Sequence, residues 1–374
     1  MKVHIALVGG QPIPVYLGIK SSGALDKLIL VCSEQTRDEA ERLAVCCRNI
    51  QHKIVECDPV DLYEIEECAS NLYEEVASED ISLNLTSGTK SWSLIFYRVF
   101  MASSKARFIL VDQNNRVQDL NTHEIRQESI AKELRFLLYG TELTKYTPFT
   151  DYTEDDFKVM HKVEKLRWKF PRIFKKLTVG FRPESEKGKS ECLPDGSFVE
   201  WDMEEELVHL CMLYRKTNEL QDYYLQCPHV LDIVFNSGWF ELKTALELSK
   251  NENVKEICMN CEFPAQDKKP KNEIDIILDM GTKLFFVECK TQVHEITDID
   301  KFHSAIKNFS GTSSKGIFVV NDSPSVKKGN YSRAVEKCKD NNILTFNFSE
   351  YRYNPELLSL NTLINDDLNK TNKR

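Results

Sequence analysis

A chain of 374 residues, 41% hydrophobic and 29% charged, is long enough for two domains that each bury a core of their own. No apolar run reaches the length of a membrane span, and Met1–Val8 reads as a strand that soon meets Gly9-Gly10 rather than as a signal peptide, so a cytoplasmic protein with no membrane partner is expected. The formal net charge of −9, taken as a sum, argues against a nucleic-acid partner, but the charge is unevenly spread.

Through the first 120 residues short β-rich runs alternate with helical patterns. Strands are expected over Val3–Val8, Lys27–Cys32, Lys53–Cys57, Ile81–Leu85 and Arg107–Val111, with helices between, the spacing of a doubly wound α/β domain with a mainly parallel sheet. Residues 56–80 hold ten acids and no Lys or Arg, as on the outer face of a helix. A turn at Asp112–Asn115 leads to a hairpin strand, Arg116–Leu120. A helix near Gln127–Leu138 precedes Gly140–Thr150, whose Thr, Gly and Pro content suggests a linker.

The segment from about 151 to 230 reads as mostly helical, with a polar loop over Arg182–Gly196. Residues 161–190 carry ten Lys or Arg against three acids; Lys162, Lys165, Arg167, Lys169, Arg172, Lys175 and Lys176 can either track a phosphate backbone or form a solvated helix face. From about 231 the order becomes helix, strand, hairpin, helix over Thr297–Phe309, strand over Gly316–Val320, helix over Val326–Lys339 and strand over Ile343–Phe348. Twelve cysteines are scattered through apolar segments, and the one Cys-x-x-Cys, Cys258–Cys261, has no second pair at zinc-finger spacing, so reduced thiols are expected.

In open α/β sheets ligands bind beyond the carboxyl ends of strands. After the first strand comes Gly9-Gly10-Gln11-Pro12-Ile13-Pro14; after the fourth comes Thr86-Ser87-Gly88-Thr89-Lys90, which runs into a helix over Ser91–Phe100. Small residues let the backbone approach a ligand, helix-start amides favour an anion, and Lys90 adds a charge. The spacing is not that of a Walker loop, and a tight turn without ligand stays open as a reading.

Near the other end, Asn272–Gln292 contains two apolar runs around Gly281-Thr282. A two-residue II′ turn there pairs Met280 with Lys283, and counting outward sets Asp275 opposite Glu288. Side chains so placed are roughly 4.5–5.5 Å apart at Cβ, and like charges repel, so a cation is expected between them. Lys290 shares the face of Glu288. Two carboxylates suit Mg²⁺ or Mn²⁺, and the set suits metal-assisted phosphodiester cleavage. An acid at the edge of an apolar helical stripe, Glu241 beside Trp239, Leu242 and Leu246, can join them.

Asp275 followed by Glu288-Cys289-Lys290 resembles the PD-(D/E)xK nuclease superfamily, which commonly adds an acid from a preceding helix, here Glu241. Asn84-Leu85-Thr86-Ser87-Gly88-Thr89-Lys90 resembles the Thr-Gly-Gly-Thr-Lys loop of CARF domains, with Ser87 in place of the commoner Gly. Together they resemble the ancillary nucleases of type III CRISPR systems that join the two. The resemblance implies a Rossmann-like CARF domain over 1–145, a helical middle segment over 146–230 and a restriction-endonuclease-like α/β domain over 231–374. It also implies a homodimer whose paired sensors bind cyclic tetra-adenylate through Gly10, Gln11, Pro12, Thr86, Ser87, Gly88, Thr89 and Lys90. The nuclease lobes would then cut DNA or RNA with catalytic Glu241, Asp275, Glu288 and Lys290, the metal being held by Asp275, Glu288 and the main chain of Cys289. A nucleic-acid-binding sensor without cleavage, or a stand-alone restriction-type enzyme, are the other readings.

Overall fold

The computed structural model describes residues 1–112, 114–180, 183–264, 272–293, 295–310, 314–321, 330–354 and 356–372. Aliphatic runs and amphipathic helices alternate first: β1 (Lys2–Leu7), α1 (Pro12–Ser21), β2 (Lys27–Cys32), α2 (Arg37–Cys46), β3 (Gln51–Glu56), α3 (Leu62–Val76), β4 (Asp80–Asn84), α4 (Lys90–Phe100) and β5 (Ala106–Val111). These five strands are parallel, and β6 (Arg116–Asp119) and β7 (Ile125–Gln127) extend the sheet antiparallel, giving the order β3-β2-β1-β4-β5-β6-β7. β1, β2 and β4 are buried along nearly their whole length because helices cover both faces. α3 and α4 pack Ile65, Leu72, Trp92 and Phe96 on one face, while α1 and α2 pack Ile13, Leu17 and Leu43 on the other. The strand order reverses between β1 and β4, which opens a crevice at their carboxyl ends.

The chain then departs from two expectations. Only Lys132–Leu138 of the helix expected over 127–138 is helical (α5). The supposed linker contains a strand, β8 (Lys145–Pro148), which pairs antiparallel with a strand more than a hundred residues on. Its Thr and Tyr favour extended backbone, and Pro148 is tolerated because β8 is an edge.

The middle segment is helical only at its start, in α6 (Glu154–Lys169) and α7 (Pro171–Thr178). A capping box between Thr153 and Asp156 starts α6, and Pro171 at the first turn of α7 separates the two. The expectation of a mostly helical 151–230 is corrected by an antiparallel sheet of β9 (Lys187–Lys189), β10 (Phe198–Asp202), β11 (Leu207–Tyr214) and β12 (Glu219–Gln226). Period-two alternation buries Val199 and Trp201 of β10, and left-handed residues Glu206 and Asn218 turn the hairpins.

After α8 (Val230–Val234) and α9 (Gly238–Leu248) come β13 (Glu256–Phe263), β14 (Asn272–Asp279), β15 (Leu284–Lys290), α10 (Thr297–Ser310), β16 (Lys315–Val320), α11 (Asn330–Asp340), β17 (Leu344–Asn347), α12 (Phe348–Tyr353) and α13 (Leu360–Asn372). They form a mixed sheet of order β17-β16-β15-β14-β13-β8, parallel from β15 to β17 and antiparallel elsewhere. One face packs on α6 and α9, the other on α10, α11 and Phe136 of α5. Arg182 of the expected polar loop and the first residues of the helix expected over Val326–Lys339 lie outside the described residues. Among the described residues no helix is long and apolar enough to cross a membrane, and all twelve cysteines are free thiols.

Candidate functional site

The loops after β1 and β4 meet at the crevice. A Cβ on Gly9 would lie 2.7 Å from Ser87 Oγ and 2.8 Å from the Gly88 nitrogen, so the two backbones touch there. Gly88 has φ +77°, and a side chain on it would strike the Trp92 ring at 2.7 Å, so the turn requires glycine twice over. Thr89 caps α4 by accepting the Trp92 N–H, which leaves Lys90 exposed at the first turn. Pro12 is buried at the first turn of α1. Thr86 is committed elsewhere: its hydroxyl pairs with Asn84 and accepts the Val111 N–H at 2.7 Å, so it braces the loop. Gly10, Ser87, Gly88 and Lys90 are placed to meet a ligand, mostly through backbone, and Gln11 lies beside them with its side chain engaged.

In the mixed sheet the turn Gly281-Thr282 has the expected form, with φ +78° at Gly281 and a Met280–Lys283 hydrogen bond of 3.0 Å. Pairing runs from Asp279–Leu284 out to Ile276–Val287, and the next positions outward are Asp275 and Glu288. The ladder to β13 also skips Asp275, because its neighbour Asn260 is left-handed at φ +52°, a local irregularity of the kind that re-aims side chains beside active sites. Asp275 turns its carboxylate onto the Cys289 N–H at 2.6 Å, and Lys290 Nζ lies 2.5 Å from Glu288 Oε1. Burial, then Glu288 and Glu241, push the Asp275 carboxyl well above the usual range. Burial and Glu288 raise Glu241 to about 7. For Lys290 burial pulls the pKa down, but Glu288 and Asp275 more than offset that, and it stays a cation.

Glu288 thus opposes the ionisation of both Asp275 and Glu241, the condition that a divalent cation relieves. Their oxygens suit a hard ion that keeps several waters, although among the described residues no three His, Cys, Asp or Glu side chains draw together tightly enough to cage one. Glu241, Asp275, Cys289 and Lys290 line a cleft of about 1060 Å³. The basic segment lines it too, through Arg167, Trp168 and Lys175. Not all that segment faces the cleft: Lys162 donates to the Tyr224 carbonyl and Lys169 to Gln221 and Tyr223, all on β12.

The two sites are joined by residues that the sequence did not mark. Tyr139, at the end of α5, donates its hydroxyl to Gln11 Oε1 at 2.9 Å. One turn earlier the fully buried Arg135 donates to the carbonyls of Gly281 and Thr282, at 3.2 and 2.9 Å, in the turn that connects the acid-bearing strands. Burial brings the Arg135 pKa down to about 10, against the pull of Asp279. Asn115 adds a bond to the Thr282 carbonyl at 3.2 Å. Asp232, on the cleft wall near Glu241, was likewise unmarked.

A parallel sheet with its loops at the switch point, followed by a mixed sheet carrying grouped acids and a lysine, defines a two-part α/β protein. Residues 3–138 match the family model described as the Card1 CARF domain. No curated protein sequence matches the chain. Among solved structures, Can2 from Sulfobacillus thermosulfidooxidans in complex with cyclic tetra-adenylate is similar at 15% identity and TM-score 0.66, over 94% of this chain and 97% of that one. Protein VC1899 from Vibrio cholerae is similar at 13% identity and TM-score 0.71, over 99% and 98%. A type III CRISPR defence DNA nuclease activated by cyclic oligoadenylate is similar at 16% identity and TM-score 0.55, over 86% of this chain and 46% of that one. At these identities the likeness is one of fold, and for the first two it runs over nearly the whole chain.

Proposed function

We propose that the chain is a cyclic-oligoadenylate-activated, metal-dependent endonuclease of type III CRISPR defence, acting in the cytoplasm on DNA, RNA or both. The observation that carries this reading is the union in one chain of a CARF domain and a cleft where Asp275, Glu241 and Lys290 face one another. Asp275, Glu288 and the Cys289 carbonyl would hold Mg²⁺ or Mn²⁺, which when bound lowers the pKa of a water and offsets charge on the phosphate. Lys290, kept cationic by its acidic neighbours, stands ready to neutralise charge developing on the substrate. Glu241, buried against the same group, tunes its ionisation. The domains run over 1–145, 146–230 and 231–374, with β8 reaching from the first boundary into the last sheet.

Cyclic tetra-adenylate is the activator this reading favours, supported by the complex of the similar Can2. A C₂ dimer matches a symmetric ring. Leu94, Tyr97 and Met101 fall on one exposed face of α4, whose first turn carries Lys90, so a second copy seated there would bring two ligand loops together. Gln11, Tyr139, Arg135 and the 281–282 turn supply a contiguous route from that pocket to the acids. The test is to incubate the protein with plasmid and labelled RNA, with and without a panel of cyclic oligoadenylates and Mn²⁺. Cleavage is expected only when both are present. Equal cleavage without activator would leave a stand-alone nuclease, and binding without cleavage under every condition would leave a sensor module.

A further inference from the structure

One cation in the cleft wall has no counter-charge. Arg167 projects from α6 between the rings of Phe174 and Trp239, 5.5 and 5.3 Å from their centroids, and is half-buried. Its Nη1 is closed off from solvent and meets no acceptor, and among the described residues it pairs with no carboxylate. Most other cations nearby differ, although Lys175, exposed on the same wall, also pairs with no carboxylate among the described residues. Lys243 is satisfied by Glu164, Arg352 by the same Glu164, and Lys290 by Glu288. Trp239 Nε1, in the same wall, is also a buried donor without an acceptor.

Stacking on two rings recovers part of the cost of desolvating a guanidinium, but leaves its hydrogen-bonding fork unfilled. Burial lowers its pKa with nothing to oppose it, the mark of a charge set where the apoprotein does not stabilise it. A structural role alone is served as well by an apolar side chain of similar length, since replacing a desolvated charge by such a residue is often neutral or stabilising.

We infer that Arg167 is a phosphate-binding residue of the cleft, gripping a backbone phosphate of the nucleic-acid strand presented to Asp275 and Lys290. The inference rests on the nuclease reading. Arg167 is held by α6 and by Trp239, which begins the helix that also carries Glu241, so the gripped phosphate and the acids are referenced to one rigid element. The half-buried guanidinium is a directional, charge-assisted donor to a phosphate oxygen, where Lys offers only a point charge.

The experiment compares the full chain with its Arg167→Met and Arg167→Gln variants, each saturated with cyclic tetra-adenylate and held in Ca²⁺. A short fluorescein-labelled oligonucleotide, single-stranded or duplex, reports affinity across a salt series, and thermal unfolding is followed in parallel. Both variants are expected to bind roughly tenfold or more weakly, with the salt slope smaller by about 0.7 to 0.9. Arg167→Met is expected to melt no lower than the parent, because its stem still fills the space between the rings. Undiminished affinity and an unchanged slope in a folded variant would overturn the assignment while leaving the nuclease reading intact. Failure of the parent chain to bind any oligonucleotide would instead overturn the nuclease reading itself. Should the Met variant not fold, the Gln variant's slope decides.

Discussion

At the ends of β1 and β4 the chain meets its candidate ligand with glycines, amides and one exposed lysine, whereas at the ends of β14 and β15 it crowds acids so that burial and Glu288 raise the proton affinity of Asp275 and Glu241. The first arrangement costs the apoprotein little: Thr86 and Thr89 spend their hydroxyls on the loop itself, and the backbone donors stay ready for an anion. The second is unfavourable until a cation or protons arrive. Recognition can therefore be built from shape, while chemistry is built from charge held out of water.

The largest effect that would break this contrast is expected at the acids. Asp275→Ala or Lys290→Ala should lower activated cleavage by roughly 10²–10³-fold or more, with calorimetric binding of cyclic tetra-adenylate unchanged, and EDTA should silence the parent to the same degree. Normal turnover in either variant would remove the assignment. At the other site Lys90→Ala should weaken the activator by roughly 10- to 100-fold. Gly88→Val should do the same by forcing a β-branched side chain into a left-handed turn against Trp92. An unaltered dose response would return the loop to a plain turn.

Between the two, Tyr139→Phe and Arg135→Met should leave the ligand bound and the acids in place yet reduce activation by roughly 5-fold or more, the lower range of coupling between sites. Full activation in both would show that α5 transmits nothing.

The smallest effect concerns pH. Glu241, raised to about 7 from an ordinary 4.5, is still protonated in the folded protein where the unfolded chain has lost that proton. Folding takes up a proton in that window, so this group's contribution to stability is present below about 4.5 and lost as the pH rises toward 7. Glu288, Lys290, Asp232 and Glu273 face it and set the shift, with burial the first cause. Glu241→Gln should therefore melt higher than the parent at pH 8 in EDTA, by roughly a few degrees, and the gap should shrink at pH 5. A gap that does not depend on pH would place the carboxyl elsewhere.

The acid-bearing hairpin was legible because a two-residue turn fixes register by counting, and Gly281 made that turn readable. The loops at Gly10 and Gly88 were legible for a similar local reason: small residues between an apolar run and a helix have few other uses. What stayed hidden depends on partners distant in sequence. Nothing in Lys145–Pro148 announces β13 as its neighbour, and nothing around Arg135 points to carbonyls 146 and 147 residues away. The β9–β12 sheet was readable in part, since Phe198–Asp202 alternates in the manner of a strand. The Lys- and Arg-rich run before it is helical, in α6 and α7, and that pattern does not extend into the sheet. Arg167 stood out only as one of many cations until its neighbours, two rings and no acid, set it apart.

The strand at Lys145–Pro148 bears on how such chains can be cut and recombined. It is threaded onto β13 just beyond the sensor, so a fragment starting at residue 151 would bare the main-chain edge of β13 and invite aggregation. An N-terminal domain exchanged for another in the course of evolution would have to bring its own α5 and β8, or find matching ones, to keep the downstream half sealed.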